Sequence, residues 1–277
     1  MVISEVNLIT FSPTHTSRKV GEAIMRGTKY EKTVVTDSTC QTVAPLHLPA
    51  SALAIITVPV YGGHVAPLAI ERMKNIHADG TPAVIVVVYG NRAYEKALAE
   101  LDGLATSMGF KVIAAGTFIG EHSYSTEAYP IAAGRPDADD IAYAEAFGAK
   151  VAAKIAAATD SGHLYEVDVN RIVRPKQPFF PLFRFLRKVI KMRKSGIPLP
   201  RTPQVSADLC KHCGVCAQVC PAGAIQKGDE CNTLADKCIK CCACVKSCPH
   251  KARTYDTPFA AMLSDCFKRQ KEDRILI

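Results

Sequence analysis

The chain of 277 residues has no tryptophan; 10 Phe and 9 Tyr supply its aromatic surface. No apolar run approaches the roughly 18 residues of a membrane-spanning helix, which excludes a transmembrane anchor. The opening residues Met1-Val2-Ile3-Ser4-Glu5-Val6 lack a basic leader and a small-residue cleavage site. The expectation is a cytoplasmic chain whose thiols stay reduced, which disfavours disulfides. Acidic residues are missing from 171–202, where ten Lys/Arg stand without one Asp or Glu. Subtracting those ten from the 34 basic residues leaves 24 against 26 acidic ones, so the net charge of +8 is local. Nucleic-acid binding needs a broadly basic surface and is not expected. Cysteine is nearly absent from the first three quarters: of 12, only Cys40 precedes residue 210.

What is present in residues 1–160 is alternation of short apolar strands with helical stretches. Strands are predicted at Ile3–Phe11, Thr33–Asp37, Ala54–Tyr61, Pro82–Tyr89 and Lys111–Ile119. Helices are predicted at Ser17–Met25, Pro67–Ile76, Tyr94–Met108 and Ala138–Thr159. The run Val84-Ile85-Val86-Val87-Val88 reads as a strand buried on both faces. Five strands with interleaved helices imply a parallel, doubly wound α/β sheet. Residues 161–202 form a basic linker punctuated by Pro175, Pro178, Pro181, Pro198 and Pro200. Inside it, 182–194 reads as an amphipathic helix with its apolar face buried and its basic face solvated. Docking of an acidic redox partner and membrane-surface binding are the rival readings of that helix.

Residues 203–255 repeat with a shift of 28: Ala207-Asp208-Leu209-Cys210 returns as Ala235-Asp236-Lys237-Cys238. The copies read Cys210-x2-Cys213-x2-Cys216-x3-Cys220-Pro221 and Cys238-x2-Cys241-x2-Cys244-x3-Cys248-Pro249. Three cysteines at this spacing wrap one loop around three irons of a [4Fe–4S] cubane, and the fourth, followed by proline, ligates the other cluster. The expected sets are Cys210, Cys213, Cys216 and Cys248 for one cluster, and Cys238, Cys241, Cys244 and Cys220 for the other. Zinc sites use two pairs with a longer gap and suit this spacing poorly. Cys40, Cys231, Cys242 and Cys266 are left over, and Cys242 stands where the first copy has Gly214. The segment resembles the bacterial two-cluster ferredoxin module over about 50 residues, with every ligand present. Residues 256–277 form a C-terminal tail with a short helix around Phe259–Leu263.

The first strand runs into Ser12-Pro13-Thr14-His15-Thr16-Ser17-Arg18, a hydroxyl-rich turn at a helix start. Such a turn is an anion cradle, or simply a helix cap through Ser12 or Thr16. The loop has neither the GxGxxG nor the GxxxxGK[ST] pattern, so a single phosphate monoester suits it better than a pyrophosphate. The third strand ends in Tyr61-Gly62-Gly63-His64 and the fourth in Tyr89-Gly90-Asn91-Arg92-Ala93-Tyr94. Both loops lie where a doubly wound sheet binds ligands, and each offers glycine and a tyrosine able to stack on a flat ring. Either tyrosine could equally face the core.

On these residues, 1–160 resembles the flavodoxin family, which implies strand order 2-1-3-4-5 and bound FMN. The resemblance implies that Ser12, Thr14, His15, Thr16 and Ser17 hold the FMN phosphate. It also implies that Tyr61, Gly62, Gly63, Asn91 and Tyr94 border the ring, with His122, Ser123 and Tyr124 closing the edge. With the cysteine repeat included, nearly the whole chain resembles the flavodoxin-like ferredoxins of anaerobes. The expected function is transfer of single electrons between two [4Fe–4S] clusters and FMN, in exchange with ferredoxin-type donor or acceptor proteins. Two alternatives stand beside it. One is an FMN-dependent oxidoreductase reducing a small molecule over a pocket lined by His64, His122 and Tyr124. The other is a cluster protein on a flavin-free docking scaffold.

Overall fold

β-branched and small apolar residues lay down the strands. In a computed structural model, which describes residues 1–277 apart from the side chain of Ser161, β1 spans Glu5–Thr10, β2 Thr33–Asp37 and β3 Ala52–Tyr61. β4 spans Pro82–Tyr89, β5 Lys111–Ile119 and β6 Arg274–Leu276. The helices between them are α1 (Thr16–Thr28), α2 (Pro67–Met73), α3 (Ala97–Ser107) and α4 (Ala138–Ala157). The chain divides into two units: 1–120 with 134–175 and 271–277, and 121–133 with 176–270.

The sheet of the first unit runs β6-β5-β4-β3-β1-β2, with a short strand, His64–Val65, hairpinned onto β3. The five expected strands are parallel and in the flavodoxin-like order 2-1-3-4-5. The sheet also gains β6, antiparallel on the outer edge of β5 with Ile275 opposite Gly116. Every residue of β4 is buried, as its unbroken apolar run requires. On one face α1 and α4 bring Val20, Ile24, Phe147 and Val151 against Leu8, Ile55, Val84 and Ile113. The alternate residues Ile9, Ile56, Ile85 and Val87 are equally buried, so both faces are covered. The two face-packing helices touch backbone to backbone: a Cβ on Gly148 would lie 2.0 Å from the Ile24 carbonyl oxygen, and one on Gly27 2.0 Å from that of Glu145.

In the second unit, α5 (Phe179–Lys194) packs on α6 (Pro258–Cys266) through Phe185, Leu182 and Val189 against Met262, Leu263 and Phe267. The repeat folds as two matching loops. Each ends in a one-turn helix, Val215–Gln218 or Ala243–Lys246, and the antiparallel strands Gln204–Val205 and Arg253–Thr254 close the module. Left-handed backbone recurs at equivalent places: His212 and Lys240, Gly214 and Cys242, Gly223 and Lys251.

Candidate functional site

The cysteine loops converge on two small cavities. The first is lined by Cys210, Cys213, Cys216 and Cys248. The second is lined by Cys220, Cys238, Cys241 and Cys244, with Cys242 also in its wall. Each set thus holds three cysteines from one copy and the proline-linked fourth from the other. The backbone N–H of Ala224 donates to Cys220 Sγ at 3.2 Å, and that of Ala252 to Cys248 Sγ at 3.3 Å, the same contact in both copies. Burial pushes the Cys241 thiol up to about 12 and the Cys244 thiol up to about 11. A thiolate in these walls needs a positive partner to be stable, so the donor set is suited to a cationic iron centre.

Sequence reasoning missed two charged residues around these cavities. Arg253 is buried, lines the first cavity, and lies 3.8 Å from Cys244 Sγ of the second set. It is further held by Thr233 Oγ1 at 3.1 Å and by the Glu230 carbonyl oxygen. Its position in the repeat is a signal: the first copy has Ile225 there. Glu230 is also buried and takes a hydrogen bond from the Gly228 N–H at 2.8 Å, with His212 Nδ1 at 3.1 Å. Those hydrogen bonds, the Gly228 one foremost, hold its carboxyl below the usual range. Cys242 sits buried in the left-handed conformation that Gly214 adopts in the first copy.

In the first unit, β1 delivers the Ser12–Ser17 turn to the carboxyl edge of the sheet. Ser12 and Ser17 are buried, Thr14 and Thr16 half-buried, and His15 exposed with φ of 63°. Ser12 Oγ accepts the Arg18 N–H at 3.1 Å, and the Ser12 N–H donates to Thr39 Oγ1 at 2.8 Å. The N-cap itself is His15, which makes no side-chain cap hydrogen bond, and neither Ser12 nor Thr16 takes that position. Thr14 and Thr16 hydroxyls are 3.3 Å apart. Among the described residues the N–H groups of Thr16 and Ser17 donate to no protein acceptor, while Thr16 Oγ1 also reaches the Thr14 carbonyl oxygen at 3.5 Å.

Tyr61 ends β3, and Gly62 and Gly63 make the two-residue turn into His64 with φ of 62° and 91°, values that glycine tolerates. Tyr61 is half-buried and Gly62 exposed, while the Gly63 carbonyl accepts the Lys96 N–H at 2.9 Å. Asn91 and Tyr94, expected to border the ring, are 1% and 3% exposed. Asn91 Oδ1 accepts the Lys271 N–H at 2.8 Å, and Tyr94 lies edge-on to Tyr89 with ring centroids 5.5 Å apart. The C-terminal segment thus occupies the loop after β4. Tyr89 carries a buried hydroxyl without a hydrogen-bond partner among the described residues.

Of the edge residues, His64 Nδ1 pairs with Glu100 at 2.5 Å. His122, Ser123 and Tyr124 belong to the second unit. There Tyr124 packs on Tyr255 at 5.1 Å, and Lys246 Nζ holds the same loop through Glu121 Oε1 at 2.7 Å and the Ser125 carbonyl at 2.9 Å. At the other end of that loop, the returning chain builds a buried charge network in the first unit. Arg135 pairs with Asp140, and Asp273 accepts the Ile119 N–H at 2.7 Å. Burial lifts the Asp273 carboxyl to about 7.

Residues 203–226 match the family model described as "4Fe-4S binding domain". No curated protein matches the sequence. Among solved structures, an archaeal flavodoxin is 11% identical, covering 55% of this chain and 99% of that one with a TM-score of 0.37. The flavodoxin of Streptococcus pneumoniae TIGR4 is 18% identical over 55% of this chain and 99% of its own, TM-score 0.39. An NADH:FMN oxidoreductase in its apo form is 12% identical over 58% and 94%, TM-score 0.41. No helix is long and apolar enough to cross a membrane. The chain thus combines a doubly wound sheet of strand order 2-1-3-4-5 with a segment, residues 203–226, that is similar to a 4Fe-4S binding domain.

Proposed function

We propose that this protein is an electron carrier holding two [4Fe–4S] clusters and one FMN. The observation that carries the reading is the sorting of the eight motif cysteines four to a cavity, each set including the fourth cysteine of the opposite copy, with the off-motif Cys242 also in the second wall. Cys210, Cys213, Cys216 and Cys248 are assigned to one cluster, and Cys220, Cys238, Cys241 and Cys244 to the other. Arg253 stands beside both sets, where its charge offsets the thiolates and favours the reduced clusters.

For FMN, the phosphate is assigned to the Thr14 and Thr16 hydroxyls and the N–H groups of Thr16 and Ser17, with Ser12 and His15 shaping the turn. Tyr61, Gly62 and Gly63 form the wall for the ring, supported by the free approach over Gly62, where an added Cβ would meet nothing within 4 Å. Asn91 and Tyr94 are assigned to the edge of the ring, at the end of β4. When bound, the clusters carry one electron each and the flavin one or two. The protein's part is to bind these groups, neutralise sulfur charge and keep water from the buried thiolates. Its partners are redox proteins of the ferredoxin kind, met in the cytoplasm.

An anaerobic reductive titration of the purified protein, followed by visible absorbance and electron paramagnetic resonance, tests the reading. Uptake of about four electron equivalents per chain is expected, two at clusters and two at flavin, all returned to an added acceptor protein. Uptake of about two equivalents with no flavin bleaching would contradict it.

A further inference from the structure

Helix α5 has more apolar surface than its packing uses. Leu182, Phe185, Val189 and Met192 belong to the cluster it forms with α6. Phe179, Phe183, Leu186 and Ile190, spaced four, three and four residues apart, form a second stripe and stay 73%, 51%, 49% and 53% exposed. Phe180 beside them is 79% exposed. A continuous row of large apolar side chains on a surface marks an interaction face.

Charge frames that row. Arg184 and Lys188 are engaged by Asp265 of α6. Arg187, Lys191, Arg193 and Lys194 form no ion pair among the described residues. At 3.6 residues per turn, Arg193 flanks one side of the exposed stripe, and Arg187, Lys191 and Lys194 the other. Arg187 already lies over the Phe183 ring, 5.9 Å from its centre. No acidic residue occurs anywhere in 171–202 to oppose a negative surface.

We propose that α5 docks this protein on the surface of an anionic phospholipid bilayer, with the Phe179–Ile190 stripe in the acyl boundary and the flanking Lys and Arg at the headgroups. Stable peripheral binding takes two signals, an apolar one and a polybasic one, and this helix presents both side by side. A protein partner is the poorer fit, because protein interfaces are depleted in lysine. Long basic side chains beside an apolar stripe instead reach outward to phosphate. The helix is already folded against α6, so binding incurs no cost for ordering it. The proposal stands on unit-two surface alone and does not require the cofactor assignment.

The chain has no tryptophan, so Phe183→Trp in the full-length holoprotein creates a sole reporter at the stripe. Vesicles of phosphatidylglycerol and phosphatidylcholine, and of phosphatidylcholine alone, are the probes. Flotation with the anionic vesicles at low salt and a blue shift of the tryptophan emission are expected, with neither for the neutral vesicles. Lys191→Gln and Lys194→Gln each lower partitioning about fivefold. Phe179→Ser with Ile190→Ser lowers it at least about tenfold, with circular dichroism and iron content unchanged. No flotation with anionic vesicles would overturn the proposal. So would flotation without an emission shift that is indifferent to the Phe179 and Ile190 substitutions, since that is charge adhesion only. A lipid-free dimer in sedimentation equilibrium, abolished by those same substitutions, would assign the stripe to a second copy instead.

Discussion

Cys220 and Cys248 decide how the two proposed clusters would be held, because each lies in the cavity of the copy to which it does not belong. Cys220→Ser and Cys241→Ser act on the same cavity, so the double variant loses no more than either alone, about four of eight irons. Cys220→Ser with Cys213→Ser acts on both cavities and leaves almost none. Iron per chain and the resonance spectrum of the reduced protein check this; the reverse pattern would mean that each copy holds its own cluster. The cysteines were readable from sequence because ligand spacing is local. Glu230 and Arg253 were not, because nothing in a charged side chain announces that folding will bury it. Only the mismatch with Ile225 in the other copy singles out Arg253. Cys242 was readable as a small residue in a tight loop, and its φ of 59° shows how tight. Tyr94 offered a core-facing and a ring-facing reading in sequence, and the edge contact with Tyr89 favours the core.

At the scale of elements, the strands followed from apolar runs, and β2, β4 and β5 have the expected ends. Helix ends were less legible. The helix expected from Tyr94 starts at Ala97, because Asn91 and Glu95 hold positive φ of 62° and 43° and keep the chain in turns. The helix expected to reach Ile76 stops at Met73, because Ile76 is taken by a short parallel pairing with Leu46. β6 was invisible: three residues carry no periodicity, and its place depends on Asp273 and Lys271 reaching distant partners.

That anchoring titrates. An unfolded aspartate has a pKa of about 3.9, and burial lifts Asp273 to about 7. Between these values the folded chain holds a proton that the unfolded chain has released. The contribution is therefore complete below about pH 4 and lost as pH rises to 7. Asp273→Asn keeps an acceptor for the Ile119 N–H and removes the titration. Urea unfolding of the holoprotein at pH 5 and pH 8 is expected to show the variant gaining on the natural chain by roughly 2–4 kcal/mol at the higher pH. An equal difference at both values would mean that Asp273 does not carry the raised pKa.

For the whole molecule, fold and chemistry were legible to different depths. Alternating strands and helices gave the doubly wound sheet, and two cysteine runs gave the iron–sulfur module, since both signals are repeated along the chain. The loop after β4 was read less fully, because it is met by a segment 180 residues away in sequence, from Lys271 to Asn91. The assignment of Glu121–Ala133 to the second unit depends on contacts that no local pattern carries. The amphipathic helix was legible as a helix, whereas its second, uncovered stripe emerges only once α6 is seen to cover the first.

The central claim is that one chain holds two [4Fe–4S] clusters and one FMN. It is tested most directly by quantifying iron, acid-labile sulfide and extractable flavin on one anaerobically purified sample. About eight irons, about eight sulfides and one FMN per chain are expected. About eight irons without flavin, even after FMN is supplied, would contradict the flavin assignment and leave a two-cluster protein on a flavin-free sheet. About four irons would contradict the two-cavity assignment itself.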